Sequence, residues 1–268
     1  MRARNIFRKL SGKRNRSKTD SEFSTSGIHN AVLAAIARRA PARGANYLDL
    51  GSGTGVLLRN VRERFGVTPF ACDYTDRWMK VERQSVQIAD LDRDRLPYDD
   101  GQFALVTCVE VIEHVENFRA VVREVFRILQ PGGLAVFSTP NVLNLRSRQR
   151  YFSSGFYNLF GPVLLDRPDL RPGARGHISP INFFYLAHAF ASSGFRELKV
   201  SVDKYQRRSL LVFALLWIPM RLASARVYRR DKQHYKVIDE GNDWMVRTMN
   251  SRDLLLGRTV ILSAVKPG

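Results

Sequence analysis

Two cysteines in 268 residues, Cys72 and Cys108, both in strongly apolar surroundings, exclude a disulfide scaffold and fit a reducing compartment. Acidic residues are scarce: 25 Asp and Glu stand against 43 Lys and Arg, a net charge of +18. That imbalance is silent about fold but favours anionic partners: nucleic acid, an acidic membrane face or a phosphorylated substrate. No secretory h-region follows the N-terminal residues, so export is not expected. No apolar run reaches the roughly 17–25 residues of a bilayer span. The longest, Leu210–Met220, is expected to end at Pro219 and Arg221. Internal repeats are also lacking, and nothing in the sequence sets an oligomeric state. What remains is a globular composition, 44% apolar and 25% charged, sized for one large domain or a domain with insertions.

The positive charge is uneven. Residues 2–18 hold Arg2, Arg4, Arg8, Lys9, Lys13, Arg14, Arg16 and Lys18 and no acid. We read residues 1–25 as a basic, flexible, solvated tail. Ile6, Phe7 and Leu10 permit a basic amphipathic helix on anionic lipid instead, and the Arg-rich, acid-free pattern also permits an organelle transit peptide. The run Leu210–Met220 is flanked by Lys204, Arg207 and Arg208 and by Arg221, Arg226, Arg229 and Arg230. It reads as either a buried helix or an interfacial helix on a membrane.

Between these segments strands alternate with helices. Helices are expected at residues 27–40, 54–65, 118–129 and 185–193. Strands are expected at 46–50, 68–72, 84–89, 103–109, 134–138, 196–202 and 259–265, with Pro131-Gly132-Gly133 breaking the helix 118–129 before the fifth. This alternation predicts an α/β fold with a mostly parallel, seven-stranded sheet covered on both faces. Two stretches interrupt it, 141–182 and 203–257. We read both as insertions, before and after strand six, that cap the carboxyl edge where open α/β sheets bind ligands. The catalytic domain is thus expected over 26–268.

The most informative segment is Tyr47-Leu48-Asp49-Leu50-Gly51-Ser52-Gly53-Thr54-Gly55. A strand runs into a carboxylate, three alternating glycines and a helix start. Glycine allows tight turns and close approach of backbone to ligand. The dinucleotide fingerprint G-x-G-x-x-G fails at Val56, and no Lys-Ser/Thr pair makes a nucleotide P-loop. Asp49 would repel a diphosphate and attract an amino group.

This D-x-G-x-G-x-G loop resembles the first motif of class I S-adenosylmethionine methyltransferases, and further matches follow in order. Asp73 ends the second strand, where the family's acid takes the ribose hydroxyls. Asp90 and Leu91 end the third, where the family holds the adenine. Residues 96–103, Val109-Glu110-Val111-Ile112-Glu113-His114-Val115, Leu129-Gln130-Pro131-Gly132-Gly133 and Ser138-Thr139-Pro140-Asn141 match the segments around strands four and five. The resemblance covers about residues 27–200 and the final strand. It implies a Rossmann-like fold with S-adenosylmethionine as cofactor, and Asp49, Gly51, Ser52, Gly53, Gly55, Asp73, Asp90, Leu91 and Glu110 as its contacts.

Methyl transfer from a sulfonium asks little of a protein: orientation and, for a hydroxyl acceptor, a base or a cation. The candidates are Glu110, Glu113 and His114. Their E-x-x-E-H spacing resembles the metal-binding segment of ubiquinone-pathway O-methyltransferases and of small-RNA 2′-O-methyltransferases. It implies Mg²⁺ or another divalent ion on Glu110, Glu113 and His114, or His114 acting alone as base. His177 is a further catalytic candidate, since the RNA enzymes place another histidine in that region. His29, His188 and His234 are read as structural.

The acceptor class follows from charge and the apolar run. The leading expectation is O-methylation of a lipid-linked, glycan or quinone-like acceptor at an anionic membrane surface, by a cytoplasmic protein peripheral on the inner face. The alternatives are an RNA 2′-O-methyltransferase, which lacks a separate RNA module here, and a non-catalytic S-adenosylmethionine-binding regulator.

Overall fold

The structure, a computed structural model, describes residues 24–163 and 176–268. All but the last two residues of the expected basic tail lie outside them, as does part of the 141–182 insertion. Seven strands form one sheet: β1 (Asn46–Leu50), β2 (Thr68–Asp73), β3 (Val86–Ile88), β4 (Phe103–Val109), β5 (Leu129–Pro140), β6 (Arg196–Val202) and β7 (Thr259–Val265). Their order is β3-β2-β1-β4-β5-β7-β6. Pairing is parallel except along β7, which runs antiparallel to β5 and β6. The mostly parallel seven-stranded α/β sheet expected from the sequence is therefore present.

Strand alternation assigns side chains to two cores. Leu48, Leu50, Val106, Cys108, Ala135 and Phe137 face one layer, with α3 (Phe118–Ile128) and α5 (Phe183–Ser192) packed over them. Tyr47, Leu105, Val109, Leu134 and Val136 face the other, beneath α1 (Ser26–Ala37) and α2 (Val56–Phe65). All seven residues of β4 are buried, as a central strand covered on both faces requires. Cys72 and Cys108 are free, on strands that flank β1 from opposite sides. Short polar side chains set the helix starts: Asn117 Oδ1 accepts from Ala120 N at 3.1 Å, and Asn182 Oδ1 from Tyr185 N at 3.2 Å.

Three expectations need correction. The third helix ends at Ile128, but the fifth strand starts at Leu129 rather than Leu134, so Pro131-Gly132-Gly133 lies within the sheet. Gly132 N donates to Lys266 O at 2.8 Å and Lys266 N to Gly133 O at 3.0 Å, so β5 begins at Leu129 and absorbs the irregularity as a register shift opposite Phe103 and Leu105. The sequence pattern also hid three helices: α4 (Leu145–Ser154), α7 (Asp243–Thr248) and α8 (Arg252–Leu256). Finally, the apolar run does not end its helix at Pro219 and Arg221. It opens α6 (Leu210–Gln233), a 24-residue helix with no buried residue. Proline removes one amide donor, and on an exposed helix water can satisfy the carbonyl left over. The buried-helix reading of this run fails. With the preceding turn it spans Arg207–Gln233, long and apolar enough to cross a membrane by length and composition alone.

Asn141, 3% exposed, fastens the exit of β5 to the end of the second insertion. Its Nδ2 donates to Leu254 O at 2.8 Å and Gly257 O at 2.9 Å, and its Oδ1 accepts from Leu143 N at 3.0 Å. Asn141→Ala strands two buried carbonyls and is expected to lower unfolding stability by about 2–4 kcal/mol in chemical denaturation. Asn141→Asp keeps the volume but loses both donors, and should do no better than alanine.

Candidate active site

The strand order reverses between β1 and β4, and a cavity of about 350 Å³ opens there, at the carboxyl ends of β1 to β4. Its floor is the glycine loop. Gly51 and Ser52 donate their amides to Cys72 O at 2.8 and 3.1 Å, and Gly53 donates to Asp73 Oδ2 at 2.8 Å. These bonds lay the loop against the end of β2 and hold Asp73 at the cavity edge. Gly51, Gly53 and Gly55 have φ of 70°, 49° and 77°, the left-handed region that favours glycine. A Cβ on Gly51 would also fall inside the side chain of Val111, and one on Gly55 inside Met79 and Val81.

The remaining wall comes from two loops. After β3, Asp90 and Leu91 line the cavity together with Asp92, whose Oδ1 accepts from Glu116 N and Asn117 N at 2.8 and 3.0 Å and so ties this loop to the start of α3. After β2, Tyr74 and Trp78 add an aromatic wall, their rings edge to face at 5.2 Å. Sequence reasoning missed Tyr74, Trp78, Asp92, Val111 and Val115. An aromatic residue directly after the acid at the end of β2 was the available signal for Tyr74.

Asp49 is not in this cavity. It lines an adjoining recess of about 40 Å³ with Ser24, His29, Ser52 and Gly53. His29 is hydrogen-bonded to Ser24, so this histidine sits at the site rather than only in the core. Thr107 Oγ1 donates to Asp49 Oδ1 at 2.6 Å and lies 2.8 Å from the Tyr47 hydroxyl. Burial raises Asp49 to about pH 7, with the Thr107 bond working against the rise.

At the other end of the cavity stand Glu110, His114 and His177. Glu110 has φ 56°, strained for a residue with a side chain, and is held by Ser138: its amide donates to Ser138 Oγ at 3.1 Å and its Oε1 accepts from that hydroxyl at 3.0 Å. Burial raises it to about 7. Glu113, fully buried in a 3-10 turn (Ile112–His114), is pushed well above the usual carboxylate range by burial and then by Glu110. Neither of its oxygens has a hydrogen bond of ordinary geometry. Its backbone carbonyl accepts from Ile178 N at 2.9 Å and Ser179 N at 3.0 Å, which draws part of the first insertion over the site.

His114 Nδ1 lies 2.9 Å from Gly176 O. A carbonyl only accepts, so Nδ1 carries the proton and Nε2 keeps its lone pair. The rings of His114 and His177 meet edge to face at 4.9 Å, and Phe160 packs on His177 at 5.2 Å. Burial lowers both imidazoles, His177 to about 4 with a further contribution from His114, so both are neutral near pH 7.

The expected metal triad Glu110, Glu113 and His114 is not what the fold assembles. Among the described residues, Glu113, His114 and His177 bring one ligand atom each within 4.8 Å of one another, and Glu110 turns to Ser138 instead. One carboxylate and two imidazoles, with neither Glu113 oxygen nor the Nδ1 of His177 in a hydrogen bond of ordinary geometry, suit a borderline transition metal. They do not suit Mg²⁺, which takes oxygen ligands.

Comparison with known proteins agrees with this architecture. Residues 25–200 match the family described as a methyltransferase domain, and the chain belongs to that family. The ubiquinone biosynthesis O-methyltransferase of Thiobacillus denitrificans is 34% identical over 111 residues, 38% of this chain and 47% of that protein. The corresponding protein of Pseudomonas fluorescens is 32% identical over 114 residues, 40% of this chain and 49% of its own length. The chain thus spans about half the length of the curated relatives it matches. Among solved structures, a SAM-dependent methyltransferase from Archaeoglobus fulgidus aligns with a TM-score of 0.53 at 14% identity, over 89% of this chain and 94% of that one. Phosphoethanolamine N-methyltransferase 2 of Haemonchus contortus, solved with S-adenosyl-L-methionine, aligns at 0.51 and 18% identity, over 89% and 53%. Both likenesses concern the fold, a Rossmann-like methyltransferase sheet.

Two outcomes follow for ligand binding. Gly51→Ala, strained in φ and driven into Val111, is expected to weaken S-adenosylmethionine binding by at least about a hundredfold in calorimetry while the far-ultraviolet dichroism stays that of the parent. Asp49 is neutral below about pH 7, and only its ionised form attracts an amino cation. Affinity should therefore fall as pH drops through 7, by up to about tenfold per unit, and level off above it. Asp49→Asn should flatten that profile.

Proposed function

We propose that this chain transfers a methyl group from S-adenosylmethionine to a hydroxyl of a lipid-linked, glycan or quinone-like acceptor, working in the cytoplasm at the inner membrane face. The observation that carries the reading is the single cavity in which the glycine loop, Asp73, Asp90 and Leu91 meet the neutral pair His114 and His177. The partial likeness to ubiquinone biosynthesis O-methyltransferases supports a quinone-like acceptor first.

In this reading Gly51 and Gly53 let a ligand lie against the backbone, Asp73 takes a diol, and Leu91 and Trp78 sandwich a heteroaromatic ring. Asp49, at the recess, balances an amino group. S-adenosylmethionine supplies an electrophilic methyl carbon when bound. The protein must then orient the acceptor and relieve its hydroxyl of a proton. Nε2 of His114 is the base, kept in the correct tautomer by Gly176 O. A divalent ion would be held by Glu113, His114 and His177, and would lower the acceptor hydroxyl's pKa directly.

The test is turnover with a water-soluble catechol or quinol analogue, read as S-adenosylhomocysteine formed together with methylated product. His114→Ala is expected to lower kcat by about 10²–10⁴ with S-adenosylmethionine affinity kept. If a chelator and Glu113→Gln both abolish turnover, the ion is part of the machinery; if neither does, His114 acts alone. Absence of S-adenosylhomocysteine with every hydroxyl acceptor would leave the non-catalytic regulator. RNA 2′-O-methylation remains the second reading, favoured by the +18 charge and by His177 joining Glu113 and His114. It requires RNA affinity that falls steeply with salt.

A further inference from the structure

Helix α6 is tethered along one face and bare along the other. On the tethered face, Val212, Phe213 and Met220 pack on Leu145, Leu255 and Leu256. Farther on, Ser224 Oγ accepts from Asn250 Nδ2 at 2.7 Å, and Tyr228 is hydrogen-bonded to Asp243 and, at 2.7 Å, to Arg247. On the opposite face Leu211, Leu215, Ile218 and Leu222 are 79%, 77%, 63% and 70% exposed. Their spacing of four, three and four residues sets them in one stripe. Helical periodicity continues that stripe into Arg208 before it and Arg226 and Arg229 after it, all exposed.

From Lys204 to Arg230 the chain has seven basic residues and no acid. Trp217 stands half out of the helix with the Arg221 guanidinium 5.7 Å from its ring, the amphipathic arrangement common where hydrocarbon meets headgroups. A four-residue aliphatic ridge bounded by arginines matches a negatively charged lipid surface in both chemistry and layout. The tethers at Ser224 and Tyr228 bind the helix's inner side to the rest of the protein, so it lies along such a surface and does not cross it, although its length would allow crossing.

We infer that the outward stripe of α6 is a docking surface for an anionic phospholipid bilayer, seated at the headgroup boundary. This deepens the membrane-surface reading above and rests on it. The stripe rises from the carboxyl edge of the sheet, since α6 leaves β6 and returns to β7 beside the exit of β5. That is the edge on which the cavity opens, so docking brings the cavity close to the lipid surface. Helix α4, with Phe152 93% exposed, and the turn after it, with Phe160 on the ring of His177, rise from the same edge.

The test is flotation of the full chain with vesicles of phosphatidylcholine alone and of phosphatidylcholine mixed with phosphatidylglycerol. The wild type is expected to float with the mixed vesicles only. Leu215→Asp/Leu222→Asp should lower the bound fraction at least about tenfold, because each carboxylate removes an aliphatic anchor and repels the lipid. Arg226→Glu/Arg229→Glu should abolish the preference for anionic lipid. S-adenosylmethionine affinity and dichroism serve as fold checks, and Leu215→Gln/Leu222→Gln gives a milder variant that should lose binding in part. Wild-type protein that ignores both vesicle types, or aspartate variants that float like the parent, would overturn the inference. So would wild-type dimers in lipid-free sedimentation that the same variants dissolve, since a second copy would then be the occupant. Turnover of the soluble acceptor separates the two readings: docking can fail with that activity intact, and the activity can fail with docking intact.

Discussion

The end of β2 governs the cavity. Cys72 O and Asp73 Oδ2 bind three successive loop amides, of Gly51, Ser52 and Gly53, and those bonds fix where the chain turns between β1 and α2. The near end of the cavity takes its shape from that turn. Val111 can close against Gly51 only because no Cβ stands between them. The loop after β3 is hung from the same strand end, through Ala89 N and Asp73 O at 3.1 Å, and is then clamped to α3 by Asp92.

A second layer of control lies in burial of charge. Asp49, Glu110 and Glu113 all sit where ionisation is disfavoured, and the Thr107 and Ser138 hydroxyls oppose that effect at the first two. All three pKa values are raised, so the fold is helped by their neutral forms at low pH and loses that help as pH climbs through the raised values. A cationic ligand near Asp49, or a cation beside Glu113, reverses that effect locally.

Most of the sheet was legible in the sequence. β1, β4, β6 and β7 begin and end at the residues the sequence marks: β4 reads as an unbroken apolar run because both its faces are buried, whereas β6, at the sheet edge, alternates apolar and polar residues. The glycine loop was legible because its residues are consecutive in the chain. What could not be read was long-range. Proline and glycine at 131–133 look like a break until Lys266, far along the chain, pairs with them. Pro219 looks like a helix end until its surroundings prove to be solvent. Glu110 and Glu113 share a spacing that suggests a common ion, yet a positive φ at Glu110 sends its carboxylate to Ser138, and His177 comes in from 63 residues beyond His114 by way of two backbone bonds to Glu113. Nothing local announces that arrival.

The antiparallel pairing of β6 with β7 has one more consequence. Val202 lies opposite Val260, Asp203 N reaches Thr259 O at 3.3 Å and Arg258 N reaches Lys204 O at 3.0 Å, so the excursion from 203 to 257 departs and returns at the same spot. To the sheet it is merely the tip of a hairpin. A segment attached in this way can change length along its α6 arm without shifting a rung of the ladder beneath, provided Met245 and Leu254–Leu256 stay seated in the core and Asn141 keeps its carbonyl partners.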